Sequence, residues 1–153
     1  SCASRLATWL VEQARESGAG GALRAVHNPL PGTHDGLVGM LRRHFRCGSN
    51  KVRSASKIEG ALRRRGETNA HQWQALTEWL SLFGGEPSMA ERHHLVLDHL
   101  ERLTIERPYV LVIEDAQWAA DALSFCDLLL DSALPVLVVL TIEAAVLAEA
   151  DAR

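Results

Sequence analysis

Apolar residues recur with two different periods along the chain, and the change falls at Arg107. Before it, helical spacing dominates. Leu6, Trp9, Leu10 and Ala14 predict a helix over 4–16, with Ser4 as N-cap and the glycines of ESGAGG (16–21) as its stop. ALRAVHN (22–28) alternates apolar and polar residues and predicts a short strand. The loop NPLPGTHDG (28–36) leads into a helix over 35–45. Val52, Ala55, Ile58, Ala61 and Leu62 predict a helix over 52–65, and the pattern repeats over 70–83 until GGEP ends it. Ser88 and Glu91 form an S-x-x-E capping box for a helix over 88–106, with Leu95, Leu97, Leu100 and Leu103 on its inner face. Beyond Arg107, PYVLVIED is continuously apolar up to its acids, as in strands buried on both faces of a parallel sheet. A helix over 121–131 follows, with Asp121 where a cap belongs. LPVLVVLT (134–141) is a second apolar strand, and from Glu143 an Ala- and Glu-rich helix is expected. Strand, helix, strand, helix implies a βαβ crossover and an α/β fold with a parallel sheet.

The length of 153 residues predicts one domain over 1–153, with a mainly helical segment over 42–106 inside it. A hydrophobic content of 47% is enough for a packed core and argues against disorder. No apolar run reaches the roughly 18 residues that span a bilayer, so no membrane partner is expected. The first residues lack a signal-peptide pattern, and without an initiator methionine an excised segment of a cytoplasmic protein is the expectation. Cys2, Cys47 and Cys126 are odd in number and far apart, which points to thiols rather than a disulfide framework or a zinc site.

Charge changes the picture in one place. Residues 42–66 hold nine Lys or Arg against Glu59 alone, a net of +8 within a chain of −3, so the remainder carries −11. Such asymmetry suits phosphate or nucleic acid. Aromatics are sparse there and no nucleic-acid module signature accompanies the charge, so a solvated helical surface is the expectation and nucleic acid is not an expected partner.

The candidate chemistry lies where the first apolar strand of the βαβ unit ends. In an open parallel sheet, ligands bind beyond the carboxyl ends of the strands. Glu114 and Asp115 stand at such an end. One carboxylate there can hold Mg²⁺ through water, and its neighbour can orient or deprotonate a water for attack on a phosphate. The competing reading is a strand with polar exit residues.

The segment VLVIEDAQWAAD (110–121) resembles the Walker B region of the AAA-like, STAND-type signalling ATPases of bacteria. There an apolar run ends in D/E-D, followed by Q/H-W-A. Glu114 and Asp115 match the acid pair, and Gln117, Trp118 and Ala119 match Q-W-A. LPVLVVLT matches the family's next strand, and Ser4-Arg5-Leu6 is similar to the S-R-L that opens the helix after the phosphate loop. The resemblance implies a P-loop NTPase-like parallel sheet flanked by helices, with a helical insertion and an incomplete N-terminus. It implies ATP and Mg²⁺ as ligands, with Glu114 and Asp115 as metal-binding and catalytic acids and Ser4 and Thr141 on the nucleotide side. The implied role is an ATP-binding or ATPase switch within a signalling or transcriptional regulator, contacting other domains or subunits. Three departures qualify it. The chain has no GxxxxGK[ST] loop, with Cys2 and Ala3 in the place of its glycine and lysine. Glu143 stands where the family often has Arg or Gln, and a carboxylate there repels a γ-phosphate. Ala120 replaces the usual Asp. A catalytically inactive, ATPase-like scaffold for protein contacts is the alternative, and nucleic-acid binding through the basic segment a weaker one.

Other motifs carry less. Glu91, His94 and Asp98 are spaced along one helix, but without HExxH an exposed polar face is expected. His27 and His34 lie near the ligand edge with no sequence partner, and no GxSxG elbow exists. Trp73 and Trp79 read as core or interface residues, and Trp118 as a packing residue of its loop.

Overall fold

The computed structural model describes residues 2–81 and 85–143. Its elements are α1 (Cys2–Glu16), β1 (Gly21–Val26), α2 (Gly36–His44), α3 (Lys51–Arg64), α4 (Ala70–Ser81), α5 (Met89–Glu106), β2 (Tyr109–Glu114), α6 (Ala120–Asp131) and β3 (Val136–Leu140), with a one-turn 3₁₀ helix, Ala116–Trp118, after β2. The strands form a parallel sheet in the order β1-β2-β3. The α/β class and the flanking helices therefore agree with the sequence pattern. The helix expected from Glu143 onward lies outside the described residues, as does the end of the helix expected over 70–83.

The pleat of the sheet explains the layering, because alternate residues face opposite sides. Leu23, Ala25, Tyr109, Leu111 and Ile113 face a large core built with α2, α3, α4, α5 and α6. Ala22 and Val112 face the other way and pack under Ala7 and Val11 of α1. β2 is thus covered on both sides, as its unbroken apolar run requires. β3 is less covered, and Leu137 and Leu140 are exposed. Gly21 is opposite Tyr109, and a Cβ there would meet the phenol ring at 2.2 Å, so the start of β1 needs a residue without a side chain.

Several local expectations change. α1 begins at Cys2, so Ser4 sits inside its first turn rather than at the cap. α6 begins at Ala120 with Ala119 at the cap, and Asp121 is in the first turn, where an acid suits the helix dipole. On α5 the capping box forms as expected: the Ser88 Oγ accepts from Glu91 N, and the Glu91 carboxylate accepts from Ser88 N. Its inner face includes two histidines, His93 and His99, alongside Val96, Leu100 and Leu103. Arg42 leaves the basic surface altogether, because it is buried and donates to the Leu80 carbonyl.

The outer edge of β1 is closed by arginines. Gly21 N and His27 N donate to the carbonyls of Pro108 and Glu114 on β2's side, so the carbonyls of Ala22 and Arg24 face outward. Arg15 donates to the first (3.4 Å) and Arg43 to the second (2.8 Å). Unpaired strand edges invite another chain, and charged side chains laid along them prevent it.

Candidate functional site

β2 ends on Glu114, and the chain turns at Asp115, which is left-handed (φ 55, ψ 49). That conformation is uncommon outside glycine, though aspartate tolerates it better than most residues. It bends the backbone into the 3₁₀ turn, where Trp118 N donates to the Asp115 carbonyl at 2.9 Å. The end of β3 is tied to the same turn. Thr141 N donates to the Ile113 carbonyl (2.9 Å), Ala116 N donates to the Thr141 carbonyl (2.8 Å), and Asp115 N donates to Thr141 Oγ1 (3.3 Å). Glu143 N reaches Gln117 Oε1 at 3.4 Å. Three of the four predicted site residues, Glu114, Asp115 and Thr141, therefore meet at one point, and Gln117 holds Glu143 by its main chain.

Ser4 lies on another element, in the first turn of α1. Its carbonyl accepts from Thr8 Oγ1 at 2.9 Å. α1 turns back into β1 through residues 17–20, and Arg15 near its C-terminus bonds Ala22 at the start of β1. The helix thus runs opposite to the strands, and its first turn lies towards their carboxyl edge, on the face to which Glu114 points.

The two acids differ sharply. Glu114 is 3% exposed, and Arg24 occupies both carboxylate oxygens, with Nε to Oε1 at 2.6 Å and Nη2 to Oε2 at 2.8 Å. Arg24 is two residues before Val26, the register partner of Glu114, so both side chains lie on the α1 face. The hydrogen bond to Glu114 raises the Arg24 pKa against the opposing effect of burial. Asp115 is only partly buried, and its carboxylate makes no hydrogen bond among the described residues. Of the pair, it is the acid with oxygens available to a ligand.

Behind the acids, on the α2–α6 face, lies a cavity of about 630 Å³ lined by His27, Asp35, Trp79, Arg92, Trp118 and Asp121, among others. Trp118 is 50% exposed here, so it borders the cavity rather than packing its loop shut. His27 Nδ1 lies 3.2 Å from the Glu114 carbonyl, which makes it the protonated nitrogen and leaves the Nε2 lone pair for the cavity. Burial lowers the His27 pKa, partly opposed by that bond, so the ring is neutral near pH 7. Asp35 accepts from Gly32 N (2.7 Å) and Asn28 Nδ2 (2.9 Å), which holds its carboxyl below the usual range. Asp121 accepts from Arg92 at 3.1 Å and lies 2.9 Å from His93 Nε2.

The fit to magnesium and to phosphate differs. Mg²⁺ is commonly held by one or two carboxylates with water and substrate phosphates, and Asp115 suits that role. Glu114 does not while Arg24 fills both its oxygens. No group of three or more His, Cys, Asp or Glu among the described residues could hold a metal by itself. A phosphate cradle of glycine N–H donors with a lysine is not supplied by this sequence.

Arg24 and His27 were not singled out as partners of the acid pair by sequence reasoning. The signal for Arg24 was a charged residue inside an otherwise apolar strand, which demands a counter-charge on the next strand. For His27 it was its place directly after a strand. The helical HH pair gave none, since His94 is exposed and its Nδ1 donates to the Ala90 carbonyl at 2.8 Å, while His93 turns inward to Asp121. Comparison of the chain with protein-family models, with curated proteins and with solved structures gives no match.

Proposed function

We propose that the carboxyl edge of the sheet is a Walker B-type, magnesium–nucleotide edge, and that the chain is a P-loop NTPase-like switch module of a signalling or transcriptional regulator. The observation that carries this reading is the meeting of Glu114, Asp115 and Thr141 at the ends of adjacent parallel strands, on the edge towards which α1 begins. Asp115 contributes the metal-side carboxylate. The Thr141 hydroxyl, which accepts from Asp115 N, fixes the turn that presents it. Glu114 is held in reserve by Arg24, and its use as a base to orient water requires that ion pair to open. Bound Mg²⁺ would supply charge neutralisation for phosphate oxygens. With no phosphate loop in the sequence, affinity for nucleotide is low, with a dissociation constant on the order of 1 mM.

A second reading is favoured by a different observation. Arg24 neutralises Glu114 completely, and β3 leaves Leu137 and Leu140 exposed. Both suit a non-catalytic scaffold whose sheet edge contacts another domain or subunit. Calorimetric titration with Mg²⁺-ATP separates the two. The switch reading expects weak binding that needs Mg²⁺ and is lost in Asp115→Asn. Absence of binding at 10-fold above that constant favours the scaffold.

A further inference from the structure

We propose that a basic trench between α1, α2 and α3 binds the phosphate backbone of nucleic acid without regard to sequence. Two cavities, of about 680 and 550 Å³, share His44 and Arg46 in their linings and so lie side by side along this face. Arg15 and Arg43 line the first, and Lys57, Arg64 and Arg65 line the second, with Arg46 at the junction. Arg24 also borders the first but is committed to Glu114. Among the described residues, Glu12 is the one carboxylate that lines either cavity.

The six cations are not neutralised inside the protein. None forms an ion pair among the described residues. Arg15, Arg43 and Lys57 donate to main-chain carbonyls, those of Ala22, of His34 and Arg24, and of Arg46 respectively. A carbonyl positions such a group but leaves its charge in place. Arg65 Nε is buried with no hydrogen-bond partner. Neighbouring groups register the uncompensated charge. Arg43 is held below its usual pKa by burial and then by repulsion from Arg24, partly opposed by Asp35 and Glu114. His44 is pushed down to about 4 by burial and then by Arg65 and Arg15. A fold that gathers like charges at this density is relieved when an anion enters.

The chemistry of the lining selects the anion. Five of the six cations are arginines, whose planar forks match phosphate oxygens in pairs. Several separated cations along a trench suit a string of phosphates better than one compact group. Among the described residues no exposed Phe, Tyr or Trp lines it, since Phe45 is buried, so they offer no platform on which bases stack. Contacts are therefore to the backbone, and recognition is by charge. The +8 stretch of sequence becomes a site only because α3 meets cations from α1 and α2.

The test is fluorescence anisotropy of a labelled 12-nucleotide oligothymidylate with the 153-residue chain. Four phosphate contacts at roughly 0.7 per phosphate give a salt slope of about −3, so binding weakens about 50-fold between 50 and 200 mM salt. Lys57→Glu with Arg64→Glu, both exposed, should weaken binding at least 10-fold and flatten the slope. Arg5→Glu with Arg107→Glu changes net charge equally outside the trench and should weaken it less than threefold. Circular dichroism and melting confirm that both variants are folded. The proposal is overturned if the oligonucleotide does not bind at 50 mM salt, or if both double variants lose affinity alike. It is also overturned if tripolyphosphate displaces the oligonucleotide at equal phosphate concentration, which identifies a compact polyphosphate site. Equal displacement by polyglutamate at matched charge overturns it in favour of an acidic peptide.

Discussion

Replacing Arg24 with methionine isolates the feature that most constrains the acid pair. The substitution keeps an unbranched chain on β1 but removes the charge that both oxygens of Glu114 contact, at 2.6 and 2.8 Å. Glu114 is 3% exposed, so its carboxylate is left in the protein with little access to water. Breaking a buried pair in this way costs about 3–5 kcal/mol. The Arg24 side chain is 38% exposed, so water shares part of the interaction and the cost falls to the bottom of that range or just below it, about 2–3 kcal/mol. That is a large share of the roughly 5–15 kcal/mol by which a domain is stable. Glu114→Leu alone leaves the half-exposed guanidinium, which water solvates, and is milder. The double variant removes both charges and should lie within about 1 kcal/mol of the parent. Urea unfolding followed by tryptophan fluorescence on the four proteins gives the coupling energy, provided the m-values agree. A loss below about 0.5 kcal/mol in Arg24→Met, or single effects that simply add in the double variant, would refute the reasoning.

His44 and His99 make stability depend on acid. An unfolded histidine protonates near pH 6.5, whereas folded His44 does so near 4, so the unfolded chain binds more protons between these values. Stability is full above about pH 6.5 and falls as pH drops towards 4, by about 3 kcal/mol from His44. His99 is lowered in the same direction by burial and by the neighbouring His44, and pH-dependent urea midpoints measure the sum. His99→Leu should stabilise the chain by about 1–2 kcal/mol, because both ring nitrogens are buried without partners, and its melting temperature checks this. Gly39→Ala should destabilise by at least about 2 kcal/mol despite the better helix propensity of alanine, because the new Cβ meets the His34 carbonyl oxygen at 1.9 Å. Thermal unfolding compared with Gly48→Ala, where nothing is within 4 Å, checks that result.

The legible parts of the fold were those encoded by period and by punctuation. The five-residue apolar run before Glu114 predicted β2 because only a strand covered on both faces can be apolar throughout. The Ser88–Glu91 box was visible because its two hydrogen bonds link residues a fixed three positions apart. Ser4 and Asp121 look like caps in sequence, but each helix starts earlier, at Cys2 and at Ala120. The site was legible along one strand and obscure across strands. Glu114 and Asp115 follow from a local pattern. The partnership of Arg24 with Glu114 depends on a register between residues 90 positions apart, which no local pattern encodes. The basic segment shows the same limit: its charges were countable, but Arg42 turned inward and the cations of α1 and α2 joined the rest only through the fold.

We propose that the edge closed by Glu114, Asp115 and Thr141 takes a magnesium–nucleotide ligand through Asp115. Calorimetric titration of Mg²⁺-ATP into the 153-residue chain and into Asp115→Asn, with and without Mg²⁺, tests it most directly. The expected result is a dissociation constant of about 1 mM for the parent chain, dependent on Mg²⁺, and at least a 10-fold loss in Asp115→Asn. Equal affinity of the two proteins, or no heat of binding from the parent chain at 10 mM nucleotide, would contradict it.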